Sequence, residues 1–263
     1  MKIEDIFMAS HGSLSTESLI PIEDAYNYDF LVNKLNLPDD LDEVLNYLEI
    51  DADELFVDPT NFLNPIIYLS GFVYIDVTVL DIEFLKMLRV KERIEQMNKL
   101  MDSFIEKGDW ERIFSFTEKK LLIIKFLESY REIPKDQIID VFADIWTRSE
   151  SGFELIDDKI FEYVYSAKEF SDGYRERMND LRDRVGASSH VTVYRGDQEG
   201  SEGGYDWSLS YQTAKWFANR FDKDGVVYEG RVHVKDILDY FTNRGESEVL
   251  IDPKNVFSVS IRG

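Results

Sequence analysis

Arg244-Gly245-Glu246-Ser247-Glu248-Val249-Leu250-Ile251 sets two glutamates one residue apart, directly before an apolar, β-branched run. Val249 to Ile251 reads as the start of a buried strand, and Asp252-Pro253 closes it. On an extended chain residues i and i+2 share a face, so Glu246 and Glu248 are expected side by side, roughly 6–7 Å apart along the backbone. Two like charges that close tend to raise one pKa, and paired carboxylates stabilise cations and move protons. Alone, a Glu-x-Glu ahead of a strand is most often a solvated strand start, so its meaning rests on what stands upstream.

Two upstream stretches carry weight. Val191-Thr192-Val193-Tyr194-Arg195-Gly196 alternates and is β-branched, which predicts a strand ending at Gly196 with Arg195 at its end. Asp206-Trp207-Ser208-Leu209-Ser210 leads into a helical run from Tyr211 to Phe221. A guanidinium donates in a fork that fits phosphate oxygens, although Asp197 and Glu199 also offer Arg195 an ion pair. Ser210 precedes a helix and is placed to cap it. Trp216 and Phe217 are expected to pack the helix, with Ala214, Ala218 and Phe221 completing an apolar stripe.

An arginine ending one strand, a Ser-x-Ser entering a second element and a Glu-x-Glu opening a late strand resemble the Arg-Ser-Glu class of mono-ADP-ribosyltransferases. Ala214-Lys215-Trp216-Phe217-Ala218, Val226-Val227-Tyr228 and Asp236-Ile237-Leu238 also look like bacterial and phage members of that class. The resemblance covers about the last third of the chain. It implies a split β-sheet core, NAD as substrate and no metal. Arg195, with Gly196, would hold the NAD pyrophosphate, and Ser208 and Ser210 would brace the site. Glu248 would be the catalytic carboxylate, stabilising positive charge on the ribose as the nicotinamide bond breaks. Glu246 would position or deprotonate the acceptor. Trp207, Tyr211 and Tyr205 are the candidates to stack on nicotinamide. The acceptor would be a macromolecule, protein arginine or an RNA base. The resembled proteins are often toxins or phage-defence effectors, which implies an antitoxin or chaperone as partner. An NAD glycohydrolase using the same residues, and a non-catalytic acidic interaction protein, are the alternatives.

The 263 residues suffice for one large domain or two small ones, and 44% hydrophobic content supports a packed core. The chain has no cysteine, which removes disulfides, thiolate metal sites and cysteine nucleophiles. No secretory leader and no run of about 18–20 apolar residues is visible, so the expectation is a cytoplasmic protein without a membrane span. His11, His190 and His233 are too scattered for a zinc pattern. The net charge of −22 is concentrated at the front: the first sixty residues hold 2 Lys/Arg against 15 Asp/Glu. From Gly186 onward the count is 9 against 12. So negative a surface disfavours non-specific nucleic-acid binding without excluding a local basic groove.

Apolar periodicity predicts helices over 39–55, 81–107, 110–130, 134–146, 157–170 and 171–185, with Gly108 stopping the second. Phe72 to Leu80 fits strand or buried helix equally. From Val191 strands alternate with short helices, and Gly200 to Gly204 reads as a flexible, lid-like loop. The expectation is therefore an α+β chain. A helix-rich acidic domain (1–150, partner-binding or regulatory) precedes the ADP-ribosyltransferase-like domain (151–263).

Overall fold

The computed structural model describes residues 19–59, 61, 63–200, 203–220, 225–242, 245 and 247–262. The chain forms two compact units, Met1–Phe161 and Glu162–Gly263. It is mixed α and β. Among the described residues no helix is long and apolar enough to cross a membrane.

The first unit holds most of the helices. β1 (Ile20–Pro21), α1 (Ile22–Ala25), α2 (Asp29–Leu35) and α3 (Leu41–Leu48) lead to β2 (Leu55–Val57), β3 (Ile66–Ser70) and β4 (Val73–Asp76). These four strands form an antiparallel sheet in the order β1-β2-β3-β4, an element that helical periodicity did not announce. It makes Val73–Asp76, the first half of the 72–80 run, a strand, while 77–80 is irregular: Gly71, at φ +54°, turns β3 back onto β4. The long helix expected over 81–107 is two, α4 (Ile82–Met87) and α5 (Val90–Lys107), because Arg89 adopts φ +54° between them. Gly108 ends α5 in the left-handed conformation, as its position suggested. The run from 110 to 130 also divides, into α6 (Trp110–Phe116) and α7 (Leu122–Ser129), with Thr117 extended between them. α8 (Ile138–Arg148) follows, and α9 (Asp158–Tyr165) begins in the first unit and ends in the second, the division falling after Phe161. Phe114, Phe126, Phe142 and Phe161 join ring to ring at 5.3–6.3 Å through this helical core.

In the second unit, α10 (Asp172–Val185) is capped by Ser171, whose Oγ accepts from the Tyr174 N–H at 2.8 Å. β5 (His190–Asp197), β6 (Asp206–Ser208), α11 (Tyr211–Ala218), β7 (Val226–His233), β8 (Ile237–Phe241), β9 (Glu248–Ile251) and β10 (Phe257–Arg262) follow. The six strands form one sheet in the order β10-β7-β5-β6-β9-β8, with every pair antiparallel. Each face has its own cover. Leu181 of α10 packs with Val193, Trp207, Tyr228, Val232 and Val249 on one face. Ala214 and Ala218 of α11 pack with Val227, Tyr194 and Tyr211 on the other.

α10 is fastened to β8 by charge as well. Asp239 is fully buried and takes a two-point bond from Arg177, Nε to Oδ1 at 2.8 Å and Nη2 to Oδ2 at 2.9 Å. The Tyr165 hydroxyl and the Tyr240 N–H complete its partners, at 3.3 and 2.8 Å. Removing one half of a buried pair strands the other charge without water. Arg177→Met is therefore expected to cost roughly 3–5 kcal/mol. An Arg177→Met/Asp239→Leu double variant should recover part of that loss. Chemical denaturation checks both, and an unchanged midpoint in the single variant would contradict this reading.

At the other end of the strand pair, His190 and His233 face each other across β5 and β7 with ring centroids 3.9 Å apart. Desolvation, then His233 and Arg231, hold the His190 imidazole below its usual pKa. The unfolded chain thus takes up that proton more readily than the folded one. The neutral His190 imidazole contributes stability that is fully present above pH about 6.5 and is lost as pH falls through its lower folded value. The protection of amides in β5 and β7, measured against their intrinsic exchange rate at each pH, should fall between pH 7 and pH 5, and His190→Gln should flatten that dependence.

Candidate active site

The register of the second sheet lines up one row of side chains. Glu229 of β7 pairs with Tyr194 of β5, Tyr194 with Ser208 of β6, and Ser208 with Glu248 of β9. Residues directly opposed in an antiparallel pair project to the same face. Ser208 and Glu248 are thus neighbours with Cβ atoms about 4.5–5.5 Å apart, and Tyr194 lies one strand further, roughly 10 Å from Glu248. Ser208 is buried and Glu248 half-buried.

Local hydrogen bonds hold this pair. The Ser208 Oγ accepts from the Ser210 N–H at 3.0 Å, which fixes its rotamer. The Ser210 Oγ accepts from the Thr213 N–H at 3.2 Å, making Ser210 the N-cap of α11. Leu209 donates its N–H to the Ser247 carbonyl at 3.0 Å and packs on the core side, so its apolar side chain does not intrude between Ser208 and Ser210. Ser247 has φ +47°, so the chain just before Glu248 is not extended. The extended-strand argument that put Glu246 beside Glu248 fails at that residue, and Glu246 itself lies outside the described residues.

Arg195 is the largest departure from expectation. It follows Tyr194 on β5, so alternation turns its side chain to the opposite face, the one holding Val193, Trp207 and Tyr228. Its fork is engaged within the protein: Nη1 donates to the Asp206 carbonyl at 2.8 Å and to the Asp206 carboxylate, and Nη2 donates to Asp197 Oδ2 at 2.8 Å. Burial lowers its proton affinity, but Asp206 and Asp197 outweigh that and hold it above the usual value. Gly204 lies flat on the guanidinium, where a Cβ would have no room. The described parts of the 198–206 segment are anchored here. The Trp207 Nε1–H donates to the Gly204 carbonyl at 2.9 Å, and the Tyr228 hydroxyl donates to the Gln198 carbonyl at 3.0 Å.

The remaining candidates divide in the same way. Trp207 is 2% exposed and belongs to the core, so it is not a stacking surface for a ligand. Tyr211 shares the Glu248 face and meets Tyr194 edge-on at 5.6 Å. Tyr205 is half-buried, and its carbonyl receives the Ile251 N–H at 2.8 Å. Gly196 faces α11, where a Cβ would run into the Ala214 carbonyl; its missing side chain admits the helix. Trp216, expected in the core, is 57% exposed and edge-on to Phe217 at 4.9 Å.

Sequence reasoning missed Arg262. Its guanidinium lies over the Tyr211 ring at 4.8 Å and the Tyr194 ring at 5.7 Å, and it bonds Glu229 at 2.6 Å. This places a cation and two aromatic rings on the same face as Glu248. Period-two counting along β5 separates Tyr194 from Arg195, but that Arg262 reaches Tyr194 follows only from the pairing of β10 with β7. Together the face offers a carboxylate, a fixed hydroxyl, aromatic edges and an anion-binding fork.

β5 and β6 pair at one described position, Tyr194 to Ser208, so Arg195 carries much of their attachment. Arg195→Met should speed amide exchange at Ser208 and Val249 by about tenfold or more through local opening. Gly196→Ala should lower thermal stability by displacing α11, and an unchanged melting temperature would contradict the close approach described here. No family model, no curated protein and no solved structure matches the chain.

Proposed function

We infer that residues 162–263 act as an NAD-dependent mono-ADP-ribosyltransferase of an intracellular effector, transferring ADP-ribose to a macromolecule. The observation that carries this reading is the direct opposition of Ser208 and Glu248 on neighbouring strands. The order of the strands supports it, since the arginine-, serine- and glutamate-bearing strands β5, β6 and β9 are consecutive in the sheet.

In this reaction the bond between the ribose C1′ and the nicotinamide nitrogen breaks, and its electron pair leaves with nicotinamide. The ribose passes through an oxocarbenium-like state whose positive charge needs a fixed anion close by. Glu248 supplies that anion, and the Ser208 hydroxyl orients it. The acceptor nitrogen then attacks C1′ and loses a proton to a base. Glu246 is the residue the resemblance offers for that step. Arg262, set over Tyr194 and Tyr211, offers the NAD phosphates a cation on the Glu248 face once its Glu229 partner is exchanged. Arg195 acts as a positioning residue: it ties β5 to the start of β6 and so sets where Tyr194 and Arg262 lie relative to the Ser208–Glu248 pair.

Incubation with labelled NAD and lysate, followed by nuclease or protease, reads both activity and acceptor class. Label lost to protease marks a protein acceptor, and label lost to nuclease marks RNA. Glu248→Gln should reduce transfer by about 100-fold or more with an unchanged fold. Arg262→Ala should act mainly on KM. Nicotinamide release without macromolecular label would make the protein an NAD glycohydrolase. No nicotinamide release at all would overturn the reading.

A further inference from the structure

The second unit carries a groove of about 1140 Å³ that the reaction above does not use. It lies between α10, the segment before α10 and the β7–β8 connection. Lining residues include Ile237 and Leu238, at the Ile251 end of the β8–β9 pair. Glu248 is three residues away along β9, roughly 10 Å. Across the sheet, α10 covers the face opposite the Ser208–Glu248 row.

The groove's composition departs from that of the chain. A protein of net charge −22 lines it with Lys168, Arg175, Arg182 and Lys235, against two carboxylates, Glu169 and Asp236. Lys168 and Lys235 make no hydrogen bond or ion pair with other described residues. Arg175 is paired with Asp172 at 2.6 Å, and Arg182 donates to Asn179 at 2.9 Å; both partners are exposed neighbours on the same helix. Arg175 and Arg182 are seven residues apart on α10, so they stand on one side about 10 Å apart. The floor between the cations is apolar, from Met178, Leu181 and Ile237, and Tyr174 adds a half-buried ring. Cations around an apolar floor with one aromatic wall suit a ligand with a flat hydrophobic part and several phosphate oxygens.

We propose that this groove is a second binding site on the catalytic unit, for a nucleotide bearing two or more phosphates. The base lies on Tyr174 and the apolar floor, and the phosphates lie among Arg175, Arg182, Lys168 and Lys235. The volume exceeds that of a usual small-molecule cleft, about 300–1,000 Å³, which suits a flexible polyphosphate better than a single rigid ring.

Isothermal titration of the full chain with ADP tests this. An Arg182→Glu/Lys235→Glu variant alters only exposed side chains, so its circular dichroism and melting should match the parent chain. Its ADP affinity should fall tenfold or more, about what losing one charge-assisted contact costs. Glu248→Gln and Arg262→Ala should leave ADP binding at the groove in place. Adenosine or inorganic pyrophosphate alone should bind more weakly than ADP. Four results would overturn the proposal: no ADP binding; binding abolished by Arg262→Ala but not by the groove variant; pyrophosphate binding as tightly as ADP; or a short oligonucleotide binding where ADP does not.

Discussion

The second unit depends on the guanidinium of Arg195. β6 is three residues long; all three pair with β9, but it meets β5 at one described pair, so backbone bonding defines it firmly on the β9 side and weakly on the β5 side. Arg195 supplies the rest through the carbonyl and carboxylate of Asp206, while Asp197 satisfies its other nitrogen. A strand that slips by one residue exchanges its faces. Such a slip in β6 would send Ser208 into the core and Trp207 toward Glu248. The arginine therefore supports the proposed chemistry without touching it, by holding β6, with its Ser208–Glu248 pairing to β9, against β5.

The two faces of that sheet do different work. On the α10 side, Trp207, Val193 and Val249 build a dry core, and the buried Arg177–Asp239 pair sets the helix against β8. A charge pair so enclosed is a poor source of net stability but a strong constraint on geometry, because neither partner has an alternative inside the protein. On the α11 side, Gly196, Ala214 and Ala218 bring the helix close to the strands. Beside it the face carries polar and aromatic groups: Tyr194, Tyr211, Arg262, Ser208 and Glu248. The charge of the chain is partitioned too. Its acidity belongs mostly to the first unit, so the second can hold local positive ground.

Much of this was legible in the sequence where a single local rule governs. β-Branched alternation marked β5, β7 and β10. Gly108 marked a helix end, and Ser171 and Ser210 stood where helix caps were found. What escaped depended on one backbone angle or on distant partners. Arg89 and Ser247 adopt left-handed φ without being glycine, which no composition rule flags, and each changes what its neighbours face. β1 is two residues long and exists through β2, so no periodicity could reveal it. Arg195 stands out in the sequence, but which face of the sheet it turns to follows only from the register of β5 with its neighbours. The place of Arg262 appears only when β10 lies beside β7, which brings it over Tyr194 and Tyr211. The solvent-facing Trp216 shows the limit of reading an aromatic at helical spacing as core.

The most direct test of the central claim is a crystal structure of the Glu248→Gln variant soaked with NAD. The account predicts the nicotinamide ribose on the α11 side of the sheet, within hydrogen-bonding distance of residue 248 and the Ser208 hydroxyl. Arg195 should still be bound to Asp206 beneath. NAD resting on the Arg195 side, with the Asp206 contact broken and the Ser208 row empty, would contradict it.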